Sequence, residues 1–455
     1  MFLDGIAYAS IARNMAENYG SFWRPYYTAT FAPIFYDQPP LGYWLQSWAY
    51  RLFGDAVYIE AWWGFLAGAL ILVGLGSIWR GNTPQGYALA GTWFPILLFV
   101  IIPMTPWILS NNMLENTMTV FIMASVYSCQ LSLKNPKRFL SIVYGLLSGF
   151  TAFLAFLVKG PVALFTIIIP FLSVIRREEK LSKIALANFC VMSGFLFSIA
   201  IMLTMSDESS YFFNQYFSRQ VIDSLYSKRE TSISRFHILY TVCHDIVVPL
   251  ACGGLLAVVI HRLRKITMQS INYRLLLYYL CIALIGSLPI LISPKQKRWY
   301  VFPSFPFYAL AIATAFNDIA LALEKFISKN KKIYRSILKF LVIIFILSIL
   351  LMFLGKNYIG RHKDFYDDFS VQPLNIEARE TISVYPKNLE TQWSLVANMQ
   401  RKFKASLTKH PGHTYLLSTT EYQNSEAISS VYTLLHPENP KKYILFQLKD
   451  EGLTR

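Results

Sequence analysis

The sequence predicts an α-helical multi-pass membrane protein that ends in a small extracytoplasmic α+β domain. Three observations predict it. The 455-residue chain is 54% hydrophobic and only 15% charged, where soluble domains carry about 25% charge. Its apolar residues are bunched into long runs, as bilayer-spanning helices require. Its basic residues cluster in alternate short loops between those runs, which is the positive-inside pattern. That placement argues against a nucleic-acid partner, although the formal net charge is +16. The five cysteines all fall within apolar runs and none has CxxC spacing. They read as small hydrophobes, with no disulfide framework or zinc site indicated.

Residues 1–57 form a first extracytoplasmic segment without a spanning run. Ala7 to Asn18 and Leu41 to Leu52 are amphipathic stretches suited to helices lying in the membrane interface. Between them, Pro39 and Pro40 stop any preceding helix and allow a new one to start. Asp37 and Gln38 sit just before that start, where a helix N-terminus favours an anion. Tyr43, Trp44 and Trp48 follow, the composition of a membrane–water boundary.

Residues 58–355 form the transmembrane domain. Ten spans are expected, at 58–79, 87–102, 113–133, 139–158, 160–175, 184–205, 237–260, 274–293, 300–323 and 336–355. Each odd-numbered span ends in a basic loop, from Arg80 to the cluster Lys325 to Arg335, which places those loops in the cytoplasm. The outer side then receives residues 1–57, 103–112, the turn at Lys159, 206–236, 294–299 and the tail. With the first segment outside, a further spanning helix ahead of Met1 is expected. In the tail, 356–455, apolar spans give way to short alternating runs. Thr414 to Ser418 and Lys442 to Leu448 read as strands of a small domain.

The polar residues of the outer side carry the chemistry, because charge beside a span is costly. Asp4 suits a general base on an acceptor hydroxyl or amine, although on the residues alone a helix N-cap is the favoured reading. Glu115 opens the third span. It suits a metal or acceptor site, or a capping box with Asn112. Lys159, in Lys159-Gly160-Pro161, suits a phosphate, or else snorkels to the interface. The loop Ser293 to Tyr300 holds Lys295, Lys297 and Arg298 on a side where the positive-inside bias is against them. A phosphate-bearing ligand is the simplest reason, and lipid headgroups are the plain alternative. Residues 206–236 are long enough for a lid and include Asn214, Gln215, Tyr216, Arg219, Lys228, Arg229 and Arg235. His237 and His244, near the outer end of a span, read as structural. Carboxylates and cations in an aromatic-rich interface equip the outer face for chemistry on an anionic lipid headgroup.

The order of these motifs resembles a known family. Asp4-Gly5, Phe35-Tyr-Asp-Gln-Pro-Pro-Leu-Gly-Tyr-Trp-Leu45, Leu114-Glu115, Lys159-Gly160-Pro161 and Ser293 to Pro303 look like the bacterial protein O-mannosyltransferase and lipid A aminoarabinose transferase superfamily. The resemblance covers roughly residues 1–310, and the Pro-Pro-Leu-x-Tyr-Trp-Leu string is its most specific part. It implies a GT-C glycosyltransferase fold with interfacial helices on the outer face, and a sugar donor carried on polyprenyl phosphate. By the same resemblance Asp4 is the base that activates the acceptor and Glu115 the second family acid. Lys159, Arg219 and Tyr300 would hold the donor phosphate, joined by Lys295 on the reading of its loop, and Gln38, Pro39 and Pro40 belong to the signature motif.

Two departures bear on specificity. Asp37-Gln38 stands where the aminoarabinose transferases have Glu-Lys. Asp37 keeps an acid that can join a divalent metal site, although no cofactor is required. Gln38 loses a cation, which implies a different donor sugar or acceptor. A histidine usual in the lid is absent, with Asn214 and Gln215 near its place.

The expected activity is transfer of a sugar from the carrier to an extracytoplasmic acceptor (protein, lipid A or another glycolipid) at a bacterial inner membrane. The alternative is a transporter or flippase of lipid-linked saccharide without transferase activity.

Overall fold

The computed structural model describes residues 1–56, 58–82, 91–226, 234, 236–264, 271–330, 361–369, 376–436 and 440–449, with scattered positions from 332 to 350. The chain forms two compact units. One comprises Met1–Phe35, Tyr43–Ala56 and Ile346–Arg455, the other Tyr36–Gly42 and Val57–Phe345.

The second unit is helical and contains the membrane spans. In chain order its first helices are α3 (Ile59–Asn82), α4 (Trp93–Val100), α5 (Met104–Ser110), α6 (Leu114–Lys134) and α7 (Arg138–Lys159). A 3₁₀-rich stretch follows over Gly160–Ile168, and then come helices Leu181–Met205, His237–Arg264 and Tyr273–Ser287. By length and apolarity, five helices among the described residues suffice to cross a membrane, or seven if each bent pair is one span.

Fewer helices meet these criteria among the described residues than the ten spans expected, and the difference has identifiable sources. α4 and α5 meet at 77°, so the described part of the span expected at 87–102 belongs to a bent helix pair, a broken span or a re-entrant loop. Arg298–Ala315 and Asn317–Lys329 likewise meet at 74°. α6 is 21 residues long, yet Asn116, Ser125, Ser128 and Gln130 are buried along it. Its polarity keeps it from standing out by apolarity alone. Arg138–Arg176 is one helical run of 39 residues, but Gly160 breaks it with φ 77° and ψ −144°. The span expected at 336–355 lies outside the described residues except for scattered positions.

Small and hydroxyl side chains bring these helices close, as membrane interiors favour. Ser125 Oγ donates to the Ser148 carbonyl at 2.9 Å, and Ser148 Oγ donates back to the Ser125 carbonyl at 2.8 Å. Ser132 and Ser141 repeat the exchange at 2.7 and 2.6 Å, so α6 and α7 are stitched at two levels. α7 packs against Leu181–Met205 through Gly149 and Gly194. A Cβ on Gly149 would stand 2.1 Å from the Val191 carbonyl oxygen.

In the first unit, α1 (Leu3–Ala16) and α2 (Leu41–Phe53) form at the two stretches read as interfacial. α2 starts directly after Pro39-Pro40 and exposes Trp48, Leu52 and Phe53, an apolar face suited to a bilayer boundary. α1 differs from the expectation, because every residue from Gly5 to Met15 is buried. Its polar side chains are satisfied internally instead of facing outward. Arg13 donates to the Gln400 and Arg401 carbonyls, each at 3.0 Å. Asn14 Nδ2 donates to the carbonyls of Tyr26 and Tyr27 at 3.2 Å. Gln400 and Arg401 lie on helix Trp393–Phe403 of the tail, which packs on α1.

The tail builds a five-stranded sheet from β1 (Thr381–Tyr385), β2 (Ser406–Thr408), β3 (Tyr415–Thr419), β4 (Tyr432–His436) and β5 (Tyr443–Leu448), in the order β2-β1-β3-β5-β4. β3 and β5 fall on the two runs read as strands. β1 runs parallel to β2 and β3, while β5 pairs antiparallel with β3 and β4. Leu416, Ile428, Tyr432, Ile444 and Phe446 form a hydrophobic cluster on this sheet.

Candidate active site

The second unit encloses a cavity of about 480 Å³, within the range of small-molecule and cofactor sites. Its walls are largely apolar, with Val162, Phe165, Val221 and Ile290 among them. Its polar lining comes from distant parts of the chain, including Gln38, Lys159, Tyr216, Gln220, Lys295 and Tyr300. Gln38, Lys159, Lys295 and Tyr300 are therefore brought together.

Lys159 is placed by the end of α7. Gly160 follows with φ 77°, a conformation that side chains rarely adopt. A Cβ there would stand 2.0 Å from the Tyr216 hydroxyl. The Lys159 side chain is buried, with Nζ 2.6 Å from Glu115 Oε1 and 5.6 Å from the centre of the Tyr300 ring. The snorkelling alternative for Lys159 is thus corrected, because its partner lies inside the protein. The capping box at Glu115 is corrected too. α6 is capped at Met113 without a side-chain bond, and Asn112 takes φ 53°. Glu115 sits in the first turn, fully buried. Its charge is compensated by Lys159 and by the helix N-terminus.

The lid expected over 206–236 forms helix Asp207–Tyr216 and a π-helical turn Phe217–Ile222, a distortion frequent at functional sites. Phe213 anchors it by stacking on Phe156 of α7 at 5.7 Å. Tyr216, Gln220 and Ser224 of this segment line the cavity. Burial, reinforced by the Asp37 carboxylate, pushes the Tyr216 phenol above its ordinary value. Arg219 is exposed, and its guanidinium carbon lies 5.8 Å from the centre of the Tyr36 ring, next to Asp37. Lys228, Arg229 and Arg235 lie outside the described residues.

The loop Ser293 to Tyr300 uses its cations unequally. Arg298 turns to the buried Asp245, donating from Nε to Oδ2 at 3.1 Å and from Nη2 to Oδ1. The same Nη2 is 3.1 Å from His244 Nδ1. Gln296, also buried, accepts from the Ile238 N–H at 3.0 Å and donates to the Ser293 carbonyl at 3.2 Å. Two side chains thus pin the loop to helix His237–Arg264, and Lys295 and Tyr300 reach the cavity. Asp245 lies inside an apolar span. That an ionisable residue there must have a partner is the signal that could have found it.

Asp4 belongs to the first unit. It is half-buried in the first turn of α1, whose cap is Phe2, so the N-cap alternative is corrected as well. Its carboxylate lies within electrostatic reach of Tyr27. Burial, and then Asp4, raise that fully buried phenol above its ordinary value. Pro39 and Pro40 are buried directly ahead of α2. Among the described residues no group of three His, Cys, Asp or Glu side chains gathers at Asp37.

No protein-family model matches the chain. Over 222 residues it is 29% identical to undecaprenyl phosphate-alpha-4-amino-4-deoxy-L-arabinose arabinosyl transferase 1 of Proteus mirabilis (strain HI4320). That stretch is 46% of this chain and 38% of the enzyme, so the match spans well under half of the relative's length. The structure superposes on ArnT from Cupriavidus metallidurans bound to undecaprenyl phosphate with a TM-score of 0.59 at 14% identity, covering 98% of this chain and 94% of that one. Against the apo form the TM-score is 0.58 at 14% identity, with 97% and 92% covered. In fold over nearly its whole length, and in sequence over part of it, the chain is similar to the aminoarabinose-transferase branch of the GT-C glycosyltransferase superfamily, the resemblance its motifs carry.

Proposed function

We propose that this multi-pass membrane protein is a glycosyltransferase that moves a sugar from a polyprenyl-phosphate carrier to an extracytoplasmic acceptor. The observation that carries the reading is the cavity of the second unit, whose largely apolar walls meet Lys159, Lys295 and Tyr300. A lipid-borne phosphate needs that combination, with apolar surface for the first isoprene units and cations with a phenol for the phosphate. The relative and the structural neighbour use, by their names, undecaprenyl phosphate or a sugar carried on it.

In this reading Lys159 and Lys295 hold the donor phosphate, with Tyr300 and the lid's Tyr216 donating hydrogen bonds. Arg219 closes over it from the lid. Glu115 fixes the Lys159 ammonium. The base, assigned to Asp4 by the motif resemblance alone, takes the proton of the acceptor hydroxyl or amine, whose lone pair attacks the anomeric carbon. The bond from that carbon to the phosphate oxygen breaks, and its electron pair leaves on the phosphate. The cations stabilise the charge that develops there. Configuration at the anomeric carbon inverts in the single displacement. Gln38 replaces a cation of the aminoarabinose transferases, so sugar or acceptor differs from theirs.

The test is to incubate the purified protein in detergent with undecaprenyl-phosphate-linked sugars, wild type beside Asp4→Asn. Sugar transfer, or release of undecaprenyl phosphate, by wild type alone is expected. Binding of the carrier without turnover by either protein, across sugars and acceptors, would favour transport of the lipid-linked saccharide instead.

A further inference from the structure

The first unit holds a second cavity, of about 300 Å³, built in the tail. Its lining is polar. His362, Lys363 and Asp364 contribute from one side, Ser394 and Asn398 from helix Trp393–Phe403, and Lys442 from the start of β5. Asp364 is the one carboxylate among these described residues, against two lysines and a histidine.

Two features make this a built site. Asn398 is buried at 1% exposure. Its Nδ2 donates to the Ser394 carbonyl at 2.7 Å, which fixes the amide and leaves Oδ1 as an acceptor. That Oδ1 has no hydrogen-bond partner among the described residues, a costly arrangement for a buried polar atom unless something in the cavity donates to it. The wall carrying Lys442 is held rigidly. The buried Asp368 carboxylate accepts the backbone N–H groups of Lys441, Lys442 and Tyr443 at 2.7, 3.0 and 2.8 Å. Burial, and the positive charges around it including Arg361 and Lys442, also lower the His362 pKa.

We infer that this cavity binds a phosphorylated saccharide headgroup, with Lys442 and Lys363 on the phosphate and Asn398 Oδ1 accepting from a sugar hydroxyl. An anion alone would leave the amide oxygen unanswered, and a neutral sugar would leave the lysines unused. The shared chemistry is a phosphate beside a ring of hydroxyls, borne by a free sugar phosphate or by a glycolipid. The inference concerns binding and stands whether or not the protein transfers sugar.

The test is calorimetric titration of the full chain in detergent with glucose 1-phosphate, glucose, inorganic phosphate, and micelles containing phosphatidylinositol. Saturable binding of glucose 1-phosphate or of phosphatidylinositol, well above that of glucose and inorganic phosphate, is expected. Which of the two binds tells whether the source is soluble or lipid-borne. Lys442→Glu, at an exposed position, should weaken that binding about tenfold or more, as loss of a charge-assisted contact does. Asn398→Ala should weaken it about fivefold while leaving binding of inorganic phosphate unchanged. No saturable binding of either probe overturns the inference. So does equal binding of inorganic phosphate, or binding indifferent to Lys442→Glu.

Discussion

Glu115 and Lys159 form a buried ion pair, with Lys159 Nζ 2.6 Å from Glu115 Oε1 and both side chains almost wholly enclosed. One opens α6 and the other ends α7, so the pair ties a helix start to a helix end. Removing one partner leaves an uncompensated charge, which costs about 3–5 kcal/mol. Glu115→Ala and Lys159→Ala should each lower the thermal unfolding midpoint in detergent substantially. Glu115→Gln with Lys159→Met, which discards both charges and keeps most of the volume, should recover much of that loss. A double variant no more stable than the singles would show that the charges are not coupled.

Gly160 sets where Lys159 points. At φ 77° and ψ −144° a side chain costs about 1–3 kcal/mol in backbone strain. The Cβ of alanine would also meet the Tyr216 hydroxyl at 2.0 Å, an overpacking of about 1–3 kcal/mol more. Gly160→Ala should therefore destabilise the protein by both contributions. Adding Tyr216→Phe should relieve the worst of the clash, leaving the ring carbon Cζ at 2.9 Å, and none of the backbone strain. Thermal unfolding of the single and double variants separates the two. Complete rescue would mean that the backbone there carries no strain.

Much of this site was legible because residues near the chain's turning points signal strongly in sequence. Pro39-Pro40 before an aromatic run announced the start of α2, and Lys159-Gly160-Pro161 announced a break between helices. What was not legible depended on partners far away in sequence. Lys295, Lys297 and Arg298 are equivalent cations in a short loop until Asp245, more than fifty residues earlier, claims Arg298. Nothing local to Asn112 or Glu115 says that a lysine from another helix will arrive and displace the capping box. α1 looked amphipathic because Ser10, Arg13 and Asn14 are polar. Ser10 bonds back to the Ile6 carbonyl and Asn14 to the carbonyls of Tyr26 and Tyr27, while Arg13 finds Gln400 and Arg401 from the other end of the chain. Periodicity sees which residues are polar but not whether protein or water satisfies them.

The grip of Asp245 on Arg298 should act on the donor through the loop it holds. Neither residue lines the cavity, but Lys295 and Tyr300 on either side of Arg298 do. Asp245→Asn keeps the shape and weakens the bidentate hold. Affinity for undecaprenyl phosphate, followed by displacement of a fluorescent analogue, should fall about tenfold, the effect of about 1.4 kcal/mol. Binding of saccharide probes to the first unit should be unchanged. Unaltered lipid affinity would show that Gln296 alone suffices to hold the loop.

The loop's two lysines offer the sharpest discrimination. Lys295 lines the cavity and Lys297 does not. If simple positive charge on this face drew the phosphate, Lys295→Ala and Lys297→Ala would weaken lipid binding alike, and salt would screen both. A placed contact predicts asymmetry. Lys295→Ala should cost about 1.5–3 kcal/mol, as a hydrogen bond to a charged group does, or about ten- to a hundredfold in affinity for undecaprenyl phosphate. Lys297→Ala, outside the cavity lining, should cost less than about threefold. Raising the salt concentration should reduce the Lys297 effect further and leave most of the Lys295 effect, because a charge inside the cavity is screened less than one in water. Equal losses in the two variants would place the phosphate on the loop's exterior instead of in the cavity that Lys159 and Tyr300 share.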